Sequence, residues 1–100
     1  MVIIKKKTLD NFALQHADAL VPLKLWYQTT RKANWSSFTD VKKDFPSADY
    51  VGNERYVFNI KGNAYRLVAV IRFKIRTVFI KLIGTHAEYD KIDVTTVNDF

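Results

Sequence analysis

Cysteine is absent from this chain of 100 residues, which excludes a disulfide framework, a thiol nucleophile and a cysteine-based zinc site. Long apolar runs are absent too. Nothing approaches the roughly 20 consecutive apolar residues of a membrane helix, and Met1–Ile4 is too short for the apolar core of an export signal. The expectation is a cytoplasmic protein. No HExxH, Walker loop, GxSxG or GxGxxG occurs, so metalloprotease, NTPase, hydrolase-elbow and dinucleotide-binding readings have no support. Internal repeats and low-complexity segments are also missing. The most informative scarcity is local: between Arg55 and Ala87 there is not one Asp or Glu, and all ten acids of the chain lie outside that stretch.

Inside it stand seven Lys or Arg (Arg55, Lys61, Arg66, Arg72, Lys74, Arg76 and Lys81) together with His86. The whole chain carries a net charge of +6 and is 48% hydrophobic. It is therefore too apolar for disorder, and long enough as one domain over residues 1–100 to bury about two-thirds of its unfolded surface without metal or disulfide staples. A one-sided positive field points to an acidic partner, phosphate above all.

Alternation assigns that field to one face of a sheet. In Tyr65–Phe73 the odd positions are apolar and the even ones include Arg66 and Arg72, the pattern of a half-buried strand. Tyr56, Phe58 and Ile60 point inward on the preceding strand, and Val57 and Asn59 outward. On the following strand Val78, Ile80 and Leu82 are expected in the core, with Thr77, Phe79, Lys81 and Ile83 on the other face. A loop at Lys61–Ala64, with Gly62 and Asn63 suited to positive φ, sets Asn59 opposite Arg66. A second short loop at Phe73–Arg76 sets Arg72 opposite Thr77, Val68 opposite Lys81 and Arg66 opposite Ile83. A slip of one residue would bury Arg66 and Lys81.

Upstream, Val2–Ile4 reads as a first strand added to the sheet, followed by the solvated run Lys5–Lys7. Thr8 is a candidate N-cap for a helix bearing Leu9, Phe12, Ala13 and Ala17, with His16 at its end as a surface or capping residue. Asp18 is a candidate cap for a second helix, with Pro22 in its first turn and Leu20, Leu23, Tyr27 and Thr30 on one face beside Trp26. Ser36 or Ser37 begins a third helix with a Phe38, Val41 and Phe45 stripe, ended by Pro46. Ser47–Glu54 reads as a polar connector. Glu88 and Asp90 are candidates for surface salt bridges with Lys91 and Lys81. The tail Ile92–Phe100, with Asp93 and Asp99 and no base, is expected to fray.

Cleavage of an RNA phosphodiester by the adjacent 2′-OH needs no metal. It needs a base for that hydroxyl, an acid for the leaving 5′-oxygen, and cations for the charge on the phosphorus oxygens. Candidates for all three are present. Arg66 offers a planar fork suited to phosphate and Lys81 a point charge. His86 is an imidazole, a group that ordinarily titrates near neutrality. Tyr89, three residues on, supplies a phenol that donates a proton or stacks on a base. Asn59, Arg72, Phe79 and Lys91 are the candidate RNA contacts. No metal ligands and no cofactor are expected. On charge pattern alone, a surface that binds RNA without cutting it fits equally well.

The run Arg55–Val68 (RYVFNIKGNAYRLV) and the string Ile83–Asp90 (IGTHAEYD) resemble the HigB toxins of the RelE/ParE superfamily, and the element order agrees over nearly the whole chain. The resemblance implies a single α+β domain of RelE-like fold, with N-terminal helices packed on one face of a mostly antiparallel, twisted sheet. It implies an mRNA interferase of a type II toxin–antitoxin pair, cutting messages during translation on the ribosome and neutralised by a HigA-like helix-turn-helix antitoxin. A non-catalytic ParE-like toxin is the alternative on the same fold. Arg66 matches the strand arginine that such toxins use on phosphate, His86 falls where RelE has a second arginine, and Tyr89 lies near that family's C-terminal tyrosine. Val57 and Asn59 replace the lysine pair of RelE. The proton-transfer role therefore passes to His86, with Lys81 or Tyr89 assisting.

Overall fold

A computed structural model describes residues 1–91; the expected fraying of Ile92–Phe100 lies outside them. Their elements are β1 (Val2–Ile4), α1 (Lys6–Gln15), α2 (Leu20–Lys32), α3 (Phe38–Asp44), β2 (Asp49–Gly52), β3 (Arg55–Ile60), β4 (Tyr65–Arg72), β5 (Thr77–Thr85) and α4 (His86–Asp90). The five strands form one sheet in the order β1-β5-β4-β3-β2. β1 runs parallel to β5 and every other pairing is antiparallel. This is an α+β fold with helices packed against a sheet.

One sheet face carries Tyr56, Phe58, Ile60, Leu67, Ala69, Ile71, Val78, Ile80 and Ile83, which cluster with Leu9, Leu23, Trp26, Trp35 and Val41 from the helices. Strand alternation puts the remaining side chains on the opposite face. There Val57, Val68 and Leu82 form a second, small apolar cluster joined by Val51 and Tyr89. The expected hairpin register holds between β3 and β4, with Asn59 opposite Arg66.

Four local expectations are corrected. Thr8 does not cap α1: Lys5 takes a left-handed φ of 74°, the helix starts at Lys6, and the Thr8 amide already donates to the Lys5 carbonyl at 3.0 Å. Asp18 does not cap α2 either. A 3-10 turn at Ala17–Ala19 leads directly into it, while the Asp18 carboxylate accepts from Lys61 Nζ and Tyr65 Oη, each at 2.6 Å. A cation and a phenol from the β3–β4 turn outcompete the local backbone. Leu20, placed by its spacing on the buried face of α2, is 53% exposed. The connector Ser47–Glu54 contains β2, an edge strand of four residues joined to β3 through Asn53 and Glu54. Both have positive φ, as a two-residue hairpin loop of type I′ requires.

Two turn expectations also change. In the β3–β4 loop the left-handed residues are Lys61 and Gly62, not Asn63. In β5 the register shifts between Val68 and Ala69, so that Val68 faces Leu82, Arg66 faces Gly84, and Lys81 is the extra residue of a bulge. An extra residue inverts the parity beyond it. Leu82 therefore joins the open-face cluster and Ile83 the main core, the reverse of the simple alternation. Arg72 still faces Thr77.

Candidate nucleic-acid interface

Arg66 is the second residue of β4, the middle strand, on the face opposite the helices. Its two cross-strand neighbours are Asn59 and Gly84, one small polar residue and one with no side chain. The Arg66 Nε is buried, and among the described residues it has no hydrogen-bond partner. A charged donor left without an acceptor is costly unless a ligand supplies one.

Tyr89 backs this arginine. The guanidinium carbon lies 4.9 Å from the centre of the tyrosine ring, and the ring rests against Val57, Val68 and Leu82. The short helix α4 that carries Tyr89 is anchored by a capping box. The Thr85 amide donates to Glu88 Oε1 at 2.8 Å, and the Glu88 amide donates to Thr85 Oγ1 at 3.3 Å. The bond from the Thr85 amide holds the Glu88 carboxyl below its ordinary range. Gly84 belongs to the same arrangement, because a Cβ there would stand 3.3 Å from Glu88 Cβ and Oε1. Glu88 thus closes the cap of α4, and Lys91 acts on it only through its charge. The Thr85-x-x-Glu88 spacing is the sequence signature of such a box and marks the start of α4.

His86 is the first residue of α4. Its side chain is 45% exposed, and Nδ1 lies 3.8 Å from an Asp90 carboxylate oxygen, so Asp90 faces His86 instead of Lys81. Lys91 follows the helix and is exposed.

The remaining candidates gather elsewhere on the same face. Arg72, Phe79 and Lys81 line a hollow of about 370 Å³ with Arg55, Val70, Asn53 and Glu54. Glu54 reaches Arg72 Nε at 3.3 Å, which brings an acid from outside the basic stretch onto its edge. Arg55, an unassigned member of the basic stretch, is only 8% exposed and donates to the Asn53 carbonyl at 3.3 Å. Arg66 and Arg72 are six residues apart on one strand, roughly 20 Å at 3.3 Å per residue. Lys81 lies three residues from Gly84, roughly 10 Å along β5. The structure thus groups Arg66, Asn59 and Tyr89, with His86 at the start of the same short helix, and separates them from Arg72, Phe79 and Lys81.

The sequence model of the HigB toxins, described as the RelE-like toxic component of a toxin–antitoxin system, matches residues 19–92. The chain belongs to the HigB toxin family. It is similar to the mRNA interferase HigB of Escherichia coli O6:H1 strain CFT073, 31% identical over 94 residues that cover 92% of this chain and 91% of that protein. It is similar also to the mRNA interferase toxin HigB of Escherichia coli K12, 32% identical over 93 residues, 90% of this chain and 88% of that one. The match spans α2 to α4 and so contains every residue of the interface described above. In this HigB-family member Val57 is buried in the cluster that Tyr89 packs against and Asn59 flanks Arg66, so neither of these β3 residues brings a proton carrier to the arginine.

Proposed function

We propose that this toxin is an endoribonuclease that cuts messenger RNA, with Arg66 as its phosphate-binding group. The observation that carries the proposal is the Arg66 guanidinium itself, backed by an aromatic ring and with a buried Nε that lacks an acceptor among the described residues. The names of its relatives support the same substrate.

In the proposed reaction the 2′-oxygen attacks the adjacent phosphorus and gives up its proton to a base. The bond from phosphorus to the 5′-oxygen breaks, and that oxygen receives a proton from an acid. The products are a 2′,3′-cyclic phosphate and a 5′-hydroxyl. Arg66 stabilises the charge that grows on the phosphorus oxygens, and a preorganised donor of this kind contributes about 3 kcal/mol. His86 carries a proton, assisted by Tyr89 or Lys81. Asn59, Arg72, Phe79 and Lys91 hold the flanking RNA. Cleavage takes place on translating ribosomes in the cytoplasm, needs no metal ion, and is silenced by a HigA-like helix-turn-helix antitoxin.

The test is expression of the toxin followed by mapping of cellular RNA 5′ ends and their chemistry, with and without ribosomes in a purified reaction. New 5′-hydroxyl ends, lost in Arg66→Ala, are expected. Growth arrest without new ends overturns the nuclease reading, and 5′-phosphate ends overturn the transesterification.

A further inference from the structure

On the side of the molecule away from Arg66, α1 and α2 enclose a groove of about 490 Å³ lined wholly by their own residues. Its floor is Leu9, Ala13, Leu20, Leu23 and Tyr27, spaced three or four residues apart on each helix so that they form one continuous stripe. From Leu20 to Arg31 the groove runs along twelve residues of α2, roughly 17 Å for eleven rises of 1.5 Å. That is the length of about three helical turns. The same two helices also expose apolar side chains outside its lining: Leu14 is 83% exposed, Val21 63% and Leu25 58%. Four exposed aliphatic residues on two adjoining helices, Leu20 included, are an apolar surface that a solitary protein has reason to avoid.

The rim has one sign. Lys6, Lys24, Arg31 and Lys32 line it against the single acid Asp10, and Asp10 is already engaged by Lys6 at 3.3 Å. Arg31 donates to the Tyr27 hydroxyl at 3.5 Å, and Lys6 Nζ lies 5.1 Å above the Tyr27 ring. Lys24 and Lys32 have no ion pair among the described residues. A second copy of this basic chain would bring like charges together, and a nucleic acid would leave the apolar floor unfilled.

We infer that the α1–α2 groove is the docking site for an acidic, amphipathic helix of the antitoxin, which lays its leucine-type face on Leu9, Ala13, Leu20, Leu23 and Tyr27 and its carboxylates on Lys24 and Lys32. The inference rests on the toxin–antitoxin reading above and deepens it. It fits the helix-in-groove mode, where residues at i, i+3, i+4 and i+7 supply the anchors and opposite rim charges speed association. Ala13 lines the groove with only a methyl, which leaves room for a large side chain of the partner.

The probe is a labelled peptide of about 15 residues with leucines on one helical face and glutamates on the other, and its counterpart with lysine for every glutamate; three turns of contact need about 11 residues. Fluorescence anisotropy should show the glutamate peptide binding the intact toxin, with affinity reduced about tenfold or more by Lys24→Glu, a change of about 1.4 kcal/mol. Ala13→Trp, which fills the floor, should abolish binding. The exposed Lys24→Glu change keeps the test informative even where Ala13→Trp fails to fold. Equal binding of both peptides, or unchanged binding in Lys24→Glu, overturns the inference. Displacement of the peptide by an RNA oligonucleotide, or self-association of the toxin through the groove, overturns it as well. Arg66→Ala, on the other side of the sheet, should bind the peptide like wild type. Cleavage intact with no peptide binding sinks the groove alone, and peptide binding intact with no cleavage in wild type sinks the nuclease reading alone.

Discussion

The guanidinium of Arg66 rests on the ring of Tyr89 at 4.9 Å, and the two come from neighbouring but very different elements, the central strand and a five-residue helix. The ring lies under the fork, and the ring in turn packs against the apolar cluster of the open face. A cation held over an aromatic face in this way is worth about 0.5–1 kcal/mol where exposed and about 2 where desolvated.

Arg66→Ala should slow single-turnover RNA cleavage by on the order of 10²-fold or more, and Arg66→Lys should recover only part, because the charge stays and the fork is lost. Tyr89 separates two roles. Tyr89→Phe keeps the ring under Arg66 and removes the phenol, whereas Tyr89→Ala removes both. Equal losses in the two variants assign Tyr89 a proton-transfer role; a loss confined to Tyr89→Ala assigns it to positioning.

His86→Ala should reduce the rate by about 10²–10⁴-fold and remove one limb of the pH–rate curve, the signature of a lost general acid or base. Single-turnover cleavage across roughly pH 5–9 decides it. A full rate and an unchanged profile would make His86 structural and transfer the role to Lys81, Tyr89 or the ribosome.

Two carboxylates should make the fold acid-sensitive. Bonds from Lys61 first and Tyr65 second hold Asp18 below its ordinary value of 3.8, and the bond from the Thr85 amide holds Glu88 below 4.5. A carboxyl depressed in the folded state stabilises fully above its unfolded pKa, and that contribution disappears as pH falls through the folded one. Urea midpoints of wild type should therefore drop between about pH 5 and pH 2, within the window in which depressed carboxylates titrate. Asp18→Asn and Glu88→Gln start lower at neutral pH and should fall less over that window. Losing the cap in Thr85→Ala should cost about 1 kcal/mol. An identical acid profile in all variants would refute the assignment.

The hollow around Arg72 and Lys81 should act on affinity more than on chemistry. Each phosphate contact removed should flatten the log–log salt dependence of single-stranded RNA binding by about 0.7. Arg72→Ala should do so while sparing the cleavage rate at saturation, and Lys81→Ala should do so too, lowering that rate as well where Lys81 assists proton transfer. Titration of an uncleavable RNA at several salt concentrations measures the slope, and slopes equal to that of wild type would place the RNA elsewhere.

Much of this was legible locally. The inward set Tyr56, Phe58 and Ile60, the pairing of Asn59 with Arg66, and the acid-free basic stretch all follow from a period of two and from the charge order of the chain. Such patterns need no knowledge of distant residues. The Thr85-x-x-Glu88 box was equally local. What the tertiary structure decided are the contests between local and distant partners. Asp18 leaves its own helix for Lys61 and Tyr65. The bulge at Lys81 exchanges Leu82 and Ile83 between faces, because the strand must suit a helical core on one side and Tyr89 on the other. The edge strand Asp49–Gly52 pairs only because β3 is already in place beside it. The seat of Arg66 on Tyr89 required α4 to cross the open face, and that path depends on Val57, Val68 and Leu82, which three separate strands bring together.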